Sequence, residues 1–269
     1  MKKLIILGSS GSIGSYLSKG LSNDFKIIAT VRNNSSTNVF SEFKNISCFK
    51  VDFANRKDIK NFFEKIQYEK DLYAIINCYG IQNPIGNFKE SNFETWEENL
   101  NVNFHNYAFL LHLFLNSKHC IKKVINFSGG GCTFPRQFFS AYSISKISLY
   151  KLTEILALEH KDDGIDFNII APGSIKSKMT KEIINQGESL GDEYNDAVNT
   201  FSTGGQNQEK ILDLCNLLLS NKSNGLTGKL ISAQWDNFGE EKLEVLKNSK
   251  NIFTLRRIDE KFFTEKDTK

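Results

Sequence analysis

The sequence predicts an α/β protein with a doubly wound, mostly parallel sheet of seven strands and helices on both faces. Short runs rich in Ile, Val and Leu alternate with amphipathic helical stretches from the first residues onward. Continuous apolar runs between helices are typical of parallel strands that are buried on both sides. A glycine-rich turn directly follows the first run, as expected where a strand enters a nucleotide-binding helix.

Each element follows from this alternation. The predicted strands are Lys3–Leu7, Lys26–Val31, Ile46–Val51, Tyr73–Asn77, Lys122–Phe127, Asp166–Ile170 and Lys229–Ser232. The predicted helices are Ser12–Ser22, Asn55–Tyr68, Asn92–Asn116, Ala141–His160 and Gln208–Ser220. Right-handed crossovers are expected between the parallel strands.

Two segments lack the alternation. Ser174–Gln206 is long, polar and poorly periodic, which is typical of a mobile substrate lid. A charged tail follows the last predicted strand, and we expect its end, Glu260–Lys269, to fray. We therefore predict one nucleotide-binding domain over residues 1–235, with a lid at about 174–206, and a C-terminal extension over 236–269.

The composition narrows the classes of function. The 269 residues carry a net charge of +3 from 34 basic and 31 acidic residues, so neither a nucleic-acid nor a membrane partner is expected. Five cysteines without a C-x-x-C spacing indicate a reduced, cytoplasmic protein. His105, His112 and His119 recur every seven residues, about 10.5 Å apart on a helix, which is too far for shared metal ligation. We expect no metal.

The turn Gly8-Ser-Ser-Gly11-Ser-Ile-Gly14 joins the first strand to a helix. This arrangement is typical of a Rossmann-type pyrophosphate site, because the free N–H groups and the helix dipole favour an anion. The second strand is followed by Arg32, and no acidic residue lies between Asp24 and Glu42. A guanidinium suits the 2′-phosphate of NADP(H), so NADP(H) is favoured and NAD(H) is possible. Alternatively, Arg32 only stacks on the adenine.

Tyr142 and Lys146 lie one helical turn apart and therefore on one face of a predicted helix. A nearby ammonium raises the acidity of a phenol, which suits the transfer of a proton to or from an alcohol oxygen. Ser128 ends an apolar run fourteen residues before the tyrosine.

With these motifs the chain resembles the short-chain dehydrogenase/reductase family, in its shorter single-domain branch. The likeness covers roughly residues 3–235. Its motifs, in the order of the family, are the glycine turn, Asp52, Asn77-Cys-Tyr-Gly80, Asn103, Ser128, Tyr142-x-x-x-Lys146 and Pro172-Gly173.

The resemblance implies a role for each matching position. Tyr142 would be the acid/base, Lys146 would bind the nicotinamide ribose and acidify Tyr142, and Ser128 would hydrogen-bond the substrate oxygen. Asn103 would support a proton relay, Asp52 would contact the adenine amino group, and Asn77 would hold the loop beside the adenosine ribose. The implied cofactor-binding set is Gly8, Ser10, Gly11, Ser12, Ile13, Gly14, Arg32, Asp52, Phe53, Asn77, Tyr79, Gly80, Tyr142, Lys146, Pro172, Gly173, Ile175 and Ser177.

Two features depart from the pattern of this branch. The Gly-x-x-Gly-x-x-Gly spacing is similar to that of the longer sugar-nucleotide epimerases and dehydratases. Ser128 stands about one residue further from Tyr142 than usual, with Thr133 as a distant substitute. Three functions therefore stay open: an NAD(P)(H)-dependent oxidoreductase acting on a carbonyl/alcohol pair, an epimerase or dehydratase with tightly bound NAD, and a catalytically silent regulatory protein.

The substrate is less clearly indicated. Two interpretations stay open for the aromatic pair Phe138 and Phe139: the rings line the substrate pocket, or they pack in the core. Two also stay open for the basic residues near the expected site: they hold an anionic group of the substrate, or they are solvated loop charges. These residues are Arg136, Lys176 and Lys178. The polar lid favours a polar substrate, with a nucleotide sugar as one possibility. The long apolar helix at 92–116 would need burial on more than one side. The family resemblance implies that such helices pack across subunit interfaces, so we expect a homodimer or homotetramer.

Overall fold

Seven parallel strands form the centre of the computed structural model, which describes residues 1–32 and 37–257. The strands are β1 (Lys3–Leu7), β2 (Lys26–Val31), β3 (Ile46–Lys50), β4 (Leu72–Asn77), β5 (Lys123–Phe127), β6 (Asp166–Ala171) and β7 (Lys229–Ser232). Their order is β3-β2-β1-β4-β5-β6-β7, and each neighbouring pair is parallel. The predicted Rossmann-type sheet is confirmed, and its topological switch point lies between β1 and β4.

The sheet separates two apolar cores because neighbouring side chains of a strand point to opposite faces. In β1, Leu4 and Ile6 belong to one core, whereas Ile5 and Leu7 belong to the other. All four are fully buried. This two-sided burial explains why the strands are apolar without polar alternation.

Helices cover both faces. One face is covered by α1 (Ser12–Leu21) and, later in the chain, by the helix Gln208–Leu219. The other is covered by α2 (Arg56–Ile66) and by the helices Asn106–Leu115 and Ser140–Glu159.

The predicted helix Asn92–Asn116 is interrupted, which the sequence pattern did not indicate. It consists of α3 (Phe93–Leu100), a π-helical turn at Asn101–His105 and α4 (Asn106–Leu115). The π turn carries Asn103, whose Oδ1 accepts a hydrogen bond of 2.8 Å from the N–H of Ile81 in the loop after β4. Such turns are frequent at functional sites. The helix predicted at Ala141–His160 corresponds to α5 (Ser140–Glu159).

The segment predicted as a lid contains helices, although its sequence is poorly periodic; its role as a lid stays a prediction. It contains α6 (Lys178–Gln186) and α7 (Asp192–Thr203). Ser177 caps α6 by accepting a hydrogen bond of 3.2 Å from the N–H of Thr180. The buried apolar residues of the lid that join the cluster with Phe139 and Tyr142 are Ile183 in α6, Ala197 in α7 and Leu190 in the turn between the two helices.

The C-terminal extension, expected as a charged tail, packs against the domain. After α8 (Gln208–Leu219) and β7, it forms α9 (Glu240–Asn248), in which Leu243 and Leu246 are buried. The carbonyl of Phe253 accepts a hydrogen bond of 2.8 Å from the N–H of Leu230 in β7. The end that we expect to fray, Glu260–Lys269, lies outside the described residues. The domain division at residue 235 stays a prediction.

Within residues 1–32 and 37–257, no helix is both long and apolar enough to cross a bilayer.

Candidate active site

A large cleft opens at the carboxyl ends of the strands, beside the switch point. Its volume is about 1320 Å³, whereas sites for a single small molecule occupy roughly 300–1000 Å³. The cleft therefore has room for a dinucleotide together with a substrate. It extends from the glycine turn after β1 to Tyr142 and the lid.

The glycine turn forms one end of the cleft and fits a pyrophosphate. Gly8 has a φ of +80°, and a Cβ there would lie 2.9 Å from the Cα of Tyr79. A Cβ on Gly14 would lie 2.3 Å from the carbonyl oxygen of Gly8, so helix and turn need their glycines for close packing. The N-cap of α1 is Gly11, which has no side chain to bond the first N–H groups of the helix. Those donors are therefore available to an anion.

The predicted adenosine end is assembled from the loops after β2, β3 and β4. The rings of Phe53 and Tyr79 lie 4.5 Å apart, and both line the cleft with Arg32 and Asp52. Burial raises the pKa of Tyr79, and the nearby charge of Arg32 opposes this shift. The exposed guanidinium of Arg32 thus lies at the rim of the cleft, near the aromatic wall that Phe53 and Tyr79 form.

Asn77 and Asn103 support the site from behind its wall, since both are buried and neither lines the cleft. The Oδ1 of Asn77 accepts a hydrogen bond of 3.3 Å from the N–H of Tyr79. The Nδ2 of Asn103 donates to the carbonyl of Ile81 at 2.7 Å and to the Oγ of Ser145 at 3.0 Å. Asn103 thus connects the loop after β4 to α5.

Tyr142 and Lys146 line the floor of the cleft and are only 7% and 4% exposed. The ammonium of Lys146 donates to the carbonyl of Phe127 at 3.0 Å and lies 5.7 Å from the centre of the Tyr142 ring. Burial lowers the pKa of Lys146 to about 8 and raises that of Tyr142 to about 12. The charge that opposes the increase for Tyr142 is that of Arg136, rather than the expected ammonium of Lys146.

Ser128 lies at the cleft, but its hydroxyl is directed to the sheet. Its Oγ donates to the carbonyl of Ile170 in β6 at 3.3 Å. The next residue, Gly129, is the one that faces the tyrosine: a Cβ there would lie 2.2 Å from the Oη of Tyr142. The one-residue offset noticed in the sequence therefore has a structural counterpart, because the position against the hydroxyl has no side chain.

The segment after β6 closes the cofactor end. The carbonyl of Pro172 accepts a hydrogen bond of 3.0 Å from the Nε2 of Gln234. A bridge between Ile175 and Gly205 joins this segment to the end of α7. Pro172, Gly173, Ile175 and Ser177 all line the cleft.

Most of the predicted site residues lie together. All of them line the cleft except Gly14, Asn77 and Asn103. The contributors that sequence reasoning did not assign to the site include Thr30, Ile81, Gly129, Cys132, Glu193 and Trp235. Only Gly129 could have been found, from the spacing to Tyr142, because the others are ordinary residues brought in by the fold.

The residues suggested for the substrate divide between cleft and core. Arg136 and Lys178 line the cleft, whereas Lys176 lies over the ring of Phe201. The ammonium of Lys178 is 3.8 Å from the carboxylate of Glu182. Phe138 and Phe139 belong to the apolar cluster below the lid rather than to the cleft lining; Phe139 is fully buried.

The absence of a bound metal, which the sequence suggests, stays a prediction. In the described part of the chain, no three His, Cys, Asp or Glu side chains lie close enough to hold an ion. His105 lies beside Asn101 and His112 beside Asn116, with ring-nitrogen contacts of 3.0 and 3.3 Å.

The fold and cleft define a Rossmann-type nucleotide-binding protein with a buried Tyr-Lys pair. The family model of the short chain dehydrogenases matches residues 2–188. The chain belongs to this family.

Named relatives are similar over much of the chain. The 3-amino-tetrahydro-pyrrolizinone reductase of Xenorhabdus hominickii is 26% identical over 196 residues, which cover 70% of this chain and 67% of the relative. The diacetyl reductase of Staphylococcus epidermidis is 28% identical over 247 residues, 86% of this chain and 96% of the relative.

Solved structures share the fold. ElxO with NADP bound has a TM-score of 0.71 and 21% identity, over 86% of this chain and 96% of that chain. The complex of Pseudomonas aeruginosa RhlG with NADP has a TM-score of 0.71 and 19% identity, over 86% and 94%.

Proposed function

We propose that this chain is an NADP(H)-preferring oxidoreductase that interconverts a carbonyl and an alcohol on a small, polar substrate. The observation that carries the proposal is the buried Tyr142–Lys146 pair on the floor of a cleft whose other end is a glycine turn. The reductase names of the two relatives and the NADP bound by the two structural neighbours support the same class.

The bound nicotinamide would supply or accept the hydride. The chain's own contribution is proton transfer and orientation. With a pKa near 12, Tyr142 carries its proton at neutral pH and can donate it from Oη to a carbonyl oxygen. Lys146, with a pKa of about 8, is mostly protonated at pH 7 and offers N–H donors to ribose hydroxyls.

Arg32 supports the preference for NADP(H). Its guanidinium is exposed at the rim of the cleft near Tyr79, and the carboxylate of Asp52 also lies near Tyr79. An exposed, planar cation at this position suits a phosphate better than two ribose hydroxyls. The proposed adenine partner, Asp52, uses its Oδ1 to accept the N–H of Ala54 at 3.0 Å, which fixes the carboxylate beside the aromatic wall.

A panel of carbonyl compounds tests the activity. Purified protein and NADPH are combined with 2,3-butanedione, benzil, keto-sugar acids and nucleotide-4-keto-sugars, and the loss of NADPH absorbance is followed. Tyr142→Phe should lose the activity, whereas Tyr150→Phe is the matched control. Tyr150 lies two turns further along α5, and its hydroxyl donates to the carbonyl of Phe253 at 3.1 Å. Equal activity of Tyr142→Phe and the parent would contradict the proposal.

A second candidate is a nucleotide-sugar epimerase or dehydratase, which the Gly8-x-x-Gly11-x-x-Gly14 spacing favours. Such an enzyme would keep its NAD through each turnover. NAD released from the purified protein by denaturation, together with product formation without a net absorbance change, would favour this candidate. A silent regulatory protein is disfavoured because both Tyr142 and Lys146 are present and line the cleft.

We also propose that the protein is a cytoplasmic homo-oligomer. The catalytic helix α5 leaves Ile144, Ile155 and Leu158 exposed, the last by 78%. Three apolar side chains on one helix favour a second copy as the covering surface. Light scattering after size-exclusion chromatography tests this, and Leu158→Lys should shift a dimer or tetramer towards the monomer.

A further inference from the structure

Beside Tyr142, the cleft is lined by two adjacent glycines, Gly129 and Gly130, which we call the glycine wall. A Cβ on Gly129 would lie 2.2 Å from the Oη of Tyr142, and a Cβ on Gly130 would lie 3.1 Å from the Nη1 of Arg136. Neighbouring Cα atoms are about 3.8 Å apart. The tyrosine hydroxyl and the guanidinium therefore lie against adjacent residues of the same wall.

Arg136 is held in one orientation by two contacts. Its Nε donates to Glu193 of α7 at 2.8 Å, and its Nη2 donates to the second oxygen of the same carboxylate. Its Cζ lies 3.7 Å from the centre of the Phe139 ring. The side chain of Arg136 is only 16% exposed, so both contacts act where water screens little.

One nitrogen of Arg136 remains unused. Nε and Nη2 are engaged by Glu193, whereas Nη1 makes no hydrogen bond with any described residue and faces the glycine wall in the cleft. The hydroxyl of Ser128, by contrast, is directed to the carbonyl of Ile170. Arg136 and Tyr142 thus both line the cleft, each against one of two adjacent glycines, whereas the serine hydroxyl is bonded to the sheet.

We propose that Arg136 is a further catalytic residue, which donates a hydrogen bond from Nη1 to the reacting oxygen of the substrate in the place where the family pattern expects a serine. This inference rests on the proposed oxidoreductase function. A fixed donor aimed at an oxygen that gains negative charge stabilises the transition state, typically by about 10²–10³-fold in rate. Glu193 and Phe139 are positioning residues for the guanidinium.

The electrostatics of the tyrosine agree with this placement. Burial raises the pKa of Tyr142, and the charge of Arg136 is the principal influence that lowers it. The same cation that stabilises a substrate oxyanion would therefore also stabilise the phenolate left when Tyr142 donates its proton.

The first test compares three single substitutions with a matched control in the carbonyl panel. Arg136→Met should lower kcat about 10²-fold with an unchanged KM for NADPH, Arg136→Lys should recover part of the loss, and Ser128→Ala should cost at most a few-fold. Arg256→Met is the control, because Arg256 pairs with Glu154 at 3.2 Å outside the cleft lining. A 10²-fold loss in Ser128→Ala with little change in Arg136→Met would overturn the proposal.

The second test needs no turnover. 3,5-Difluorotyrosine is incorporated at position 142, and its ionisation is followed by fluorine NMR with NADP bound. Arg136→Met should move the titration to higher pH, and Ser128→Ala and Arg256→Met should not; an unmoved titration in Arg136→Met overturns the proposal. Failure of the proposed function has a different outcome, since Tyr142→Phe would then keep the full activity of the parent.

Discussion

Restoring a serine at position 129 should inactivate the protein, although the family pattern predicts a serine close to this position. A Cβ at residue 129 would lie 2.2 Å from the Oη of Tyr142 and 2.6 Å from its Cε1 and Cζ. Ordinary contacts begin near 3.4 Å, so the phenol must withdraw by about 1 Å. Tyr142 is 7% exposed, which leaves it little room to do so.

The loss can be estimated from this displacement. A shift of about 1 Å in a catalytic group costs roughly 10²-fold in rate, equivalent to about 2.7 kcal/mol of transition-state stabilisation. Overpacking of the wall should also cost about 1–3 kcal/mol of folding stability. We therefore expect Gly129→Ser to lower kcat/KM about 10²-fold and to lower Tm by a few degrees.

The assay is NADPH oxidation with the best carbonyl of the panel, with Tm measured on the same samples. Gly20→Ser is the matched control, because its added Cβ meets the end of the Leu212 side chain at 2.7 Å, outside the cleft lining; its loss of activity should stay below about tenfold. A Gly129→Ser variant as active as the parent, or more active, would refute the close approach of Tyr142 to the glycine wall.

Three further predictions concern charge. Lys146→Met should raise the Tm of the cofactor-free protein at pH 7 while abolishing activity. Burial lowers the pKa of Lys146 from 10.5 to about 8, which means that the charged lysine destabilises the folded protein by roughly 3 kcal/mol. Between pH 8 and 10.5 the lysine binds more protons in the unfolded state than in the folded state, so the parent becomes more stable as the pH rises. The stability advantage of Lys146→Met over the parent should therefore disappear across this range. A difference in stability that stays constant from pH 8 to 10.5 would contradict this prediction. Lys123→Met should lower the free energy of unfolding in urea by about 3–5 kcal/mol without changing the Kd for NADPH. The substitution leaves the buried carboxylate of Asp166, 2.6 Å from the ammonium of Lys123 in the parent, without its ion-pair partner. A loss below 1 kcal/mol would contradict this prediction. In thermal shifts the parent should favour NADP(H) over NAD(H), and Arg32→Asp should erase or reverse that order, so an unchanged ranking would exclude the proposed role of Arg32.

The fold was predictable because its information is local. Each of the seven strands is a short apolar run, and buried parallel strands such as β1 and β4 need no partner-specific pattern. The glycine turn was equally clear, since Gly8 has a φ of +80° and Gly14 packs closely against the carbonyl of Gly8. Such short-range requirements leave a direct trace in the sequence.

The features that escaped prediction depend on contacts between distant parts of the chain. The lid helices are stabilised by burial of Ile183 and Ala197 against Phe139 and Tyr142, and the extension by contacts of Phe253 with β7. The pairing of Arg136 with Glu193 joins residues 57 positions apart. No local periodicity records such pairings.

The balance of charges at Tyr142 was also beyond the sequence. Lys146 is one helical turn away, which suggests that it acidifies the phenol. In the fold, burial outweighs the neighbouring charges and raises the pKa of Tyr142 to about 12, and Arg136 is the cation that opposes it. Spacing along a helix gives proximity, but it does not give the depth of burial.

The most direct test of the central claim, that Tyr142 is the acid/base of an NADP(H)-dependent oxidoreductase, is a single-turnover measurement on Tyr142→Phe. NADPH-loaded parent, Tyr142→Phe and the Tyr150→Phe control are mixed with the best carbonyl of the panel, and NADPH oxidation is recorded by stopped flow. We predict a rate at least about 10²-fold lower in Tyr142→Phe, with an unchanged Kd for NADPH and a normal rate in Tyr150→Phe. Equal single-turnover rates in all three proteins would contradict the claim.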